Sequence, residues 1–187
     1  KGAVAMIAGT GLVGMSKDKL PVNGVVPGLA AAFARVAVDT ETGKVDILDV
    51  VNIADCGTVV HPQSLATQLK GATAWGVGMA LSERYVYDPK LGLPANVSFD
   101  QSKPATYMDV PSEMIADAVD KPDRYNPVGA KGIGEPIMGS AAAAIVSAVS
   151  DALGGHMFNR TPIVPDMIIN AAAGKPQSHR PLAVNTQ

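Results

Sequence analysis

Cysteine is almost absent. Cys56 is the only one in 187 residues, so the chain forms no internal disulfide and cannot by itself hold an iron–sulfur cluster or a structural zinc site. Aromatic residues make up only 4%, which leaves the core to be filled by small and flexible side chains. Charge is balanced rather than one-sided: 15 Lys and Arg stand against 17 Asp and Glu, a net charge of -2. No segment combines basic residues with aromatics as a nucleic-acid surface would. Long hydrophobic runs are missing too. The apolar stretch in Lys1 to Leu20 is only about eight residues long, too short for a membrane span, and it is poorly formed as a signal peptide. A soluble, cytoplasmic protein is expected. The three histidines, His61, His156 and His179, show no i,i+4 pairing and no carboxylate at ligand spacing, so no protein metal site is expected. Ser64, Ser82 and Ser140 sit in no nucleophile elbow, which disfavours a hydrolase.

What the chain has is small and apolar. Hydrophobic residues reach 47%, with 19 Gly and 8 Met, enough for a real core in one domain or a compact pair of lobes. An Ala- and Gly-rich composition suits close packing around a large rigid ligand and equally suits an ordinary bacterial domain. Gly9-Thr10-Gly11-Leu12-Val13-Gly14 follows the short apolar run Ala3–Ala8, a candidate strand, and matches GxGxxG. A nicotinamide-binding dehydrogenase would need a helix opening at these glycines and an acidic residue about 20 positions on. Pro21 cuts the first short and Phe33–Ala34 lacks the second, so this reading is weak.

Phe33–Asp39 and Lys44–Ile53 alternate in Val- and Ile-rich fashion around Thr40-Glu41-Thr42-Gly43, which predicts a hairpin. His61-Pro62 opens a helix running to about Leu81. Leu65, Leu69, Ala72, Gly76, Met79 and Ala80 form its expected core face. Gln68, Gly71, Trp75, Gly78 and Ser82 form a neighbouring stripe. Each of its two glycines costs about 1 kcal/mol relative to Ala, so something is expected to approach that face closely. Glu83–Tyr87 reads as a strand, Asp88 to Pro94 as a turn, and the proline-containing region 100–127 as loop with an extended piece at Thr106–Val110. Gly129–Gly134 is a glycine-rich turn around Lys131. Ser140–Leu153 reads as a helix buried on most sides and stopped by Gly154-Gly155, and Pro165 to Ala173 as a last short helix.

Glu135, between the glycine turn and the apolar helix, can be held partly desolvated near a ligand, with its pKa raised toward the range of a useful base. It can equally serve the N-terminus of the helix that follows, through the helix dipole. Gln68 lies on a glycine-lined face where its amide offers a donor and an acceptor to a flat heterocycle such as a pterin. An exposed helical Gln with no ligand is the plainer alternative.

Taken together, several ordered motifs resemble one family. Lys131-Gly132-Ile133-Gly134-Glu135-Pro136 followed by an Ala-rich helix resembles the stretch of xanthine dehydrogenase and aldehyde oxidase type molybdenum hydroxylases that carries their catalytic glutamate. Asp55-Cys56-Gly57, His61-Pro62, Gln68-Leu69-Lys70-Gly71, the Gly-rich helix ending at Glu83, Thr106-Tyr107 and the helix after Thr161-Pro162 also fit. His61 departs from the pattern, which usually has Asn there. The resemblance covers roughly residues 30–175 and implies an α+β fold, a mixed sheet with packed helices, from the C-terminal part of the molybdopterin-binding catalytic subunit. Residues 1–29 would lead into this domain and 176–187 would be its tail. The resemblance further implies Glu135 as catalytic base, and Gln68, Gly71, Gly132 and Gly134 as contacts to a molybdopterin, in its cytosine dinucleotide form, that carries the molybdenum. Partners implied are a larger molybdopterin-binding chain, an iron–sulfur subunit and an FAD subunit. The alternative is a non-catalytic scaffold subunit that keeps the fold.

Overall fold

The computed structural model describes residues 27–125 and 127–177. The Ala3–Ala8 run, the Gly9–Gly14 motif and the tail from residue 178 lie outside the described residues. The predicted hairpin is present: β1 (Leu29–Val38) and β2 (Val45–Asp55) pair antiparallel. Its turn is held by the Asp39 carboxylate, which accepts from the Glu41 and Thr42 amides at 2.9 and 3.2 Å. The alternation of β2 is broken midway by a bulge. Arg35 faces Asp49 but Val36 faces Ile47, so Leu48 is an extra residue, and an extra residue reverses which parity of side chains points inward. Val45 and Ile47 therefore face the helices on one side of the bulge, and the buried Val50, Asn52 and Ala54 do so on the other.

α1 (Pro62–Leu81) carries the chain across to β3 (Glu113–Ala118), which pairs parallel to β2 from Asp49↔Glu113 to Ala54↔Ala118. The result is a mixed three-stranded sheet in the order β1-β2-β3, with helices packed on one face, as the α+β expectation has it. β3 falls in the region read as loop. The extended piece expected at Thr106–Val110 is instead a turn, closed by the Asp109 amide donating to the Thr106 carbonyl at 3.0 Å. Nor is Glu83–Tyr87 a strand; it has a single isolated bridge, Tyr87 to Pro94.

α2 (Pro136–Ala152) begins four residues before the predicted Ser140, with Pro136 in its first turn, where a missing N–H costs nothing. Gly154 and Gly155, both at positive φ (70° and 85°), end it. α2 is less buried than its composition suggests: Ile137, Ala141, Ile145 and Val149 are buried, while Gly139, Ala143, Ser147 and Asp151 are exposed. α1 and α2 pack against each other at Gly76, where a Cβ would lie 2.8 Å from Ala141 Cβ and 2.9 Å from the Met138 carbonyl oxygen. α3 (Pro165–Ala172) closes the far end through Ile168, packed with Val149 and Ile163. Among the described residues no helix is long and apolar enough to cross a membrane.

Candidate functional site

The end of β2 and the start of α2 meet at one corner of the domain. β2 finishes at Asp55, and Gly57 turns the chain at φ 67°, a position only glycine fits, because a Cβ there would collide with the Gly129 carbonyl oxygen. The Thr58 amide donates to the Gly129 carbonyl (2.8 Å) and the Lys131 amide to the Cys56 carbonyl (2.7 Å). The glycine turn of residues 129–134 is thus laid along 56–58 as a short two-stranded bridge through Gly57 and Ala130. The Lys131 ammonium donates to Asp55 Oδ2 at 2.7 Å, and the Asp55 Oδ1 atom accepts from the Gly57 amide at 3.2 Å. The Lys131 bond first, and then the Gly57 amide, hold the Asp55 carboxyl below its ordinary pKa. Ile133 packs against the core cluster of Ala54, Leu69, Ala72 and Ile137.

α1 reaches the same corner from the side. The Gln68 Nε2 donates to the Gly134 carbonyl oxygen at 3.0 Å, across 66 residues of sequence. This places one face of α1 beside the residue that precedes Glu135. Gln68 is an exposed helical residue, as its plainer reading had it, and it also bridges the two motifs. The rest of its amide, a carbonyl oxygen and an N–H, makes no further hydrogen bond among the described residues. Gly71, Gly132 and Gly134 are exposed, and a Cβ at any of them would meet nothing within 4 Å. Each of these three glycines therefore leaves its backbone bare on the open side, and the Gln68 bond to Gly134 joins the two stretches that carry them. The close approach predicted for the second α1 stripe occurs only in part. Gly78 is crowded by the Glu83 carboxyl and the Ala105 amide, Gly71 faces open space, and Trp75 is 55% exposed. Met79, expected in the core, is 40% exposed.

Glu135 is the N-cap residue of α2, at φ -119° and ψ -16°, and its side chain makes no cap hydrogen bond. Its carboxylate is exposed rather than partly desolvated in this chain. His61 has a settled local role: its Nδ1 accepts from the Ser64 amide at 3.0 Å and caps α1, a task Asn performs with its side-chain oxygen. The buried pair of Asn52 and Thr73 was not anticipated. Asn52 Nδ2 donates to Thr73 Oγ1 (2.6 Å), which donates to the Leu69 carbonyl (2.8 Å). This ties β2 to α1 one turn from Gln68. Nor was the Asp55–Lys131 pair anticipated, since two opposite charges 76 residues apart carry no periodicity that would join them. Among the described residues no three His, Cys, Asp or Glu side chains gather at metal-ligand distance. Clefts among the described residues include one along Ala30–Ala34 and α2 and another beside Ser82 and Asp109, both away from this corner.

Residues 13–111 match the family described as molybdopterin cofactor-binding domain. The large subunit of nicotine 6-hydroxylase from Paenarthrobacter nicotinovorans is 32% identical over 141 residues, covering 74% of this chain and 17% of that protein. The probable hypoxanthine oxidase of Escherichia coli K12 is 35% identical over 141 residues, 75% of this chain and 14% of its own length. Quinoline 2-oxidoreductase from Pseudomonas putida 86 superposes with a TM-score of 0.68 at 31% identity, over 75% of this chain and 18% of that one. The chain belongs to the molybdenum hydroxylase family of xanthine dehydrogenases and aldehyde oxidases. It spans less than a fifth of the length of these relatives.

Proposed function

We propose that this chain forms one wall of the active site of a molybdenum-dependent hydroxylase, with Glu135 as its general base. The observation that carries the reading is the bond from Gln68 Nε2 to the Gly134 carbonyl, which joins the glycine face of α1 to the turn that presents Glu135. The patch fits a flat, polar-edged cofactor on the chemistry of its lining. Three glycines leave backbone bare on their open side, and the exposed Gln68 amide supplies both hydrogen-bonding polarities. Gln68, Gly71, Gly132 and Gly134 would hold the pterin, in its cytosine dinucleotide form. When bound, the cofactor supplies the two-electron acceptor for oxidation of an electron-poor C–H carbon with water-derived oxygen.

Glu135 takes the proton from the water-derived oxygen as that oxygen becomes a nucleophile. Its exposure follows from the domain being one wall of a site. The desolvation that suits a base comes from the larger molybdopterin-binding polypeptide laid over this patch, and the electrons leave to iron–sulfur and FAD partner chains. Substrates are aldehydes or N-heterocycles. Two of the relatives are named as a nicotine 6-hydroxylase and a probable hypoxanthine oxidase, names that accord with an N-heterocycle.

The test is Glu135→Gln in the assembled enzyme, assayed with benzaldehyde, hypoxanthine and nicotine and a dye acceptor. Molybdenum and pterin content are expected to stay unchanged while turnover falls by about 10²- to 10⁴-fold. Near-normal turnover in the variant would remove Glu135 from the chemistry. An assembled complex that never contains molybdenum or pterin would leave a scaffold role.

A further inference from the structure

The glycine turn before Glu135 has two kinds of residue. Gly132, Gly134 and Glu135 are exposed, while Lys131 and Ile133 are tucked in. A turn with bare glycines at two positions has little intrinsic preference for one shape, yet a base must be held to within a fraction of an ångström of its proton. Something in the chain has to supply the missing rigidity. Ile133 supplies part of it, seated on the Ala54–Leu69–Ala72–Ile137 cluster, and Gln68 holds the Gly134 carbonyl. Both pins act after Gly132. Upstream of Gly132 the turn is tied through Lys131, whose amide reaches Cys56 and whose ammonium reaches Asp55.

A lysine beside a cofactor site invites a different reading, as a cation for an anionic ligand. The geometry is against it. The Lys131 side chain is 11% exposed and the Asp55 side chain 25%, and the ammonium is engaged at 2.7 Å. A further, longer contact runs from the ammonium to the Pro27 carbonyl at 3.5 Å. The charge is spent inside the chain, and the carboxylate is itself fixed by the Gly57 amide at the end of β2. We infer that Asp55 and Lys131 form a positioning pair that anchors the Glu135 turn to the end of strand β2, and that they contact neither cofactor nor substrate. This rests on the reading of Glu135 as the base, but the anchoring can be measured apart from it.

Separating positioning from stability requires removing the pair without leaving a stranded charge. Lys131→Met and Asp55→Asn each strand one partly buried charge and lower the melting temperature. The double variant Asp55→Asn with Lys131→Met strands neither, so much of the melting temperature returns. In the assembled enzyme, amide hydrogen exchange of residues 129–135 in this double variant is expected to stay at least about tenfold faster than in the parent, while exchange in α1 and α2 returns to the parent rate. Turnover with whichever of benzaldehyde, hypoxanthine or nicotine is oxidised is expected to stay about tenfold to hundredfold down in kcat, with KM within about threefold. Lys131→Arg, which can still reach Asp55, is expected to restore most of the loop protection. If protection of the turn recovers together with the melting temperature, the pair is only structural and the inference is overturned. If the turn stays loose while kcat is normal, the anchoring is real and the assignment of Glu135 is what fails.

Discussion

His61 does with a ring nitrogen what an amide or carboxylate oxygen does at most helix starts. Its Nδ1 accepts the Ser64 amide, so the imidazole must present an unprotonated nitrogen on that side, its proton being on Nε2. The departure from the family's usual Asn therefore preserves the cap while changing the atom. His61→Asn is expected to leave thermal unfolding of the assembled enzyme nearly unchanged, whereas His61→Ala should lose about 1 kcal/mol. Equal stability of the Ala variant and the parent would show the cap to be idle. At this scale the sequence disclosed the candidates but not their bonds. Glu135 and Gln68 stood out through glycine neighbours and helix phase, and their proximity came only from the fold. Asp55 and Lys131 gave no sign of their pairing, because an ion pair closed by a β-strand end and a loop leaves no local pattern.

Among the elements, the glycines of α1 divide by what faces them. Gly76 is where α2 crosses at backbone distance, whereas Gly71, less than two turns away, looks into open space. Gly76→Ala is therefore expected to force the helices apart at a cost of about 1–3 kcal/mol. Gly71→Ala should instead hold or raise stability by up to about 1 kcal/mol through helix propensity, while lowering molybdenum occupancy of the assembled enzyme. Chemical denaturation and metal analysis check the pair, and equal destabilisation by both would mean that Gly71 is packed and not a cofactor face. The hairpin, α1, α2 and α3 were legible because hydrophobic period and glycine or proline punctuation agree in each. β3 was not, although Met114, Ala116 and Ala118 alternate inward with Glu113, Ile115 and Asp117 outward. Two of its three inward residues are alanines, too small to register as a hydrophobic face, and the strand exists through its parallel pairing with β2. The bulge at Leu48 hid as well: it shifts the parity inside β2 at a residue that is apolar although exposed, so the change leaves no mark in the hydrophobic pattern.

At the scale of the whole molecule, the described residues cover the sheet on one side only. On the opposite side, Phe33, Val51 and Ile115 form a single cross-strand row, with Phe33 70% and Ile115 54% exposed. Ile53 extends this face toward the Asp55 end, and the paired Arg35 and Asp49 bound it at the other. Apolar rows of this kind are uncommon on the free surface of a stable monomer and mark contact with other protein. This accords with the chain spanning only 17% and 14% of its matched relatives, and with the proposed larger molybdopterin-binding partner. Phe33→Thr with Ile115→Thr keeps strand preference while removing apolar area. The double variant is expected to be more soluble when produced alone and to co-purify poorly with that partner. Undiminished co-purification would place the contact elsewhere.

The bonds that complete the corner join residues far apart in the chain: 66 positions separate Gln68 from Gly134, and 76 separate Asp55 from Lys131. The hairpin and each helix can form from neighbouring residues, but closing loops of that length requires most of the domain to be in place first. The Glu135 turn is thus expected to close late in folding. On the proposed reading, a nascent chain acquires its scaffold before the surface proposed to receive the cofactor, so cofactor loading is expected to report on completed folding.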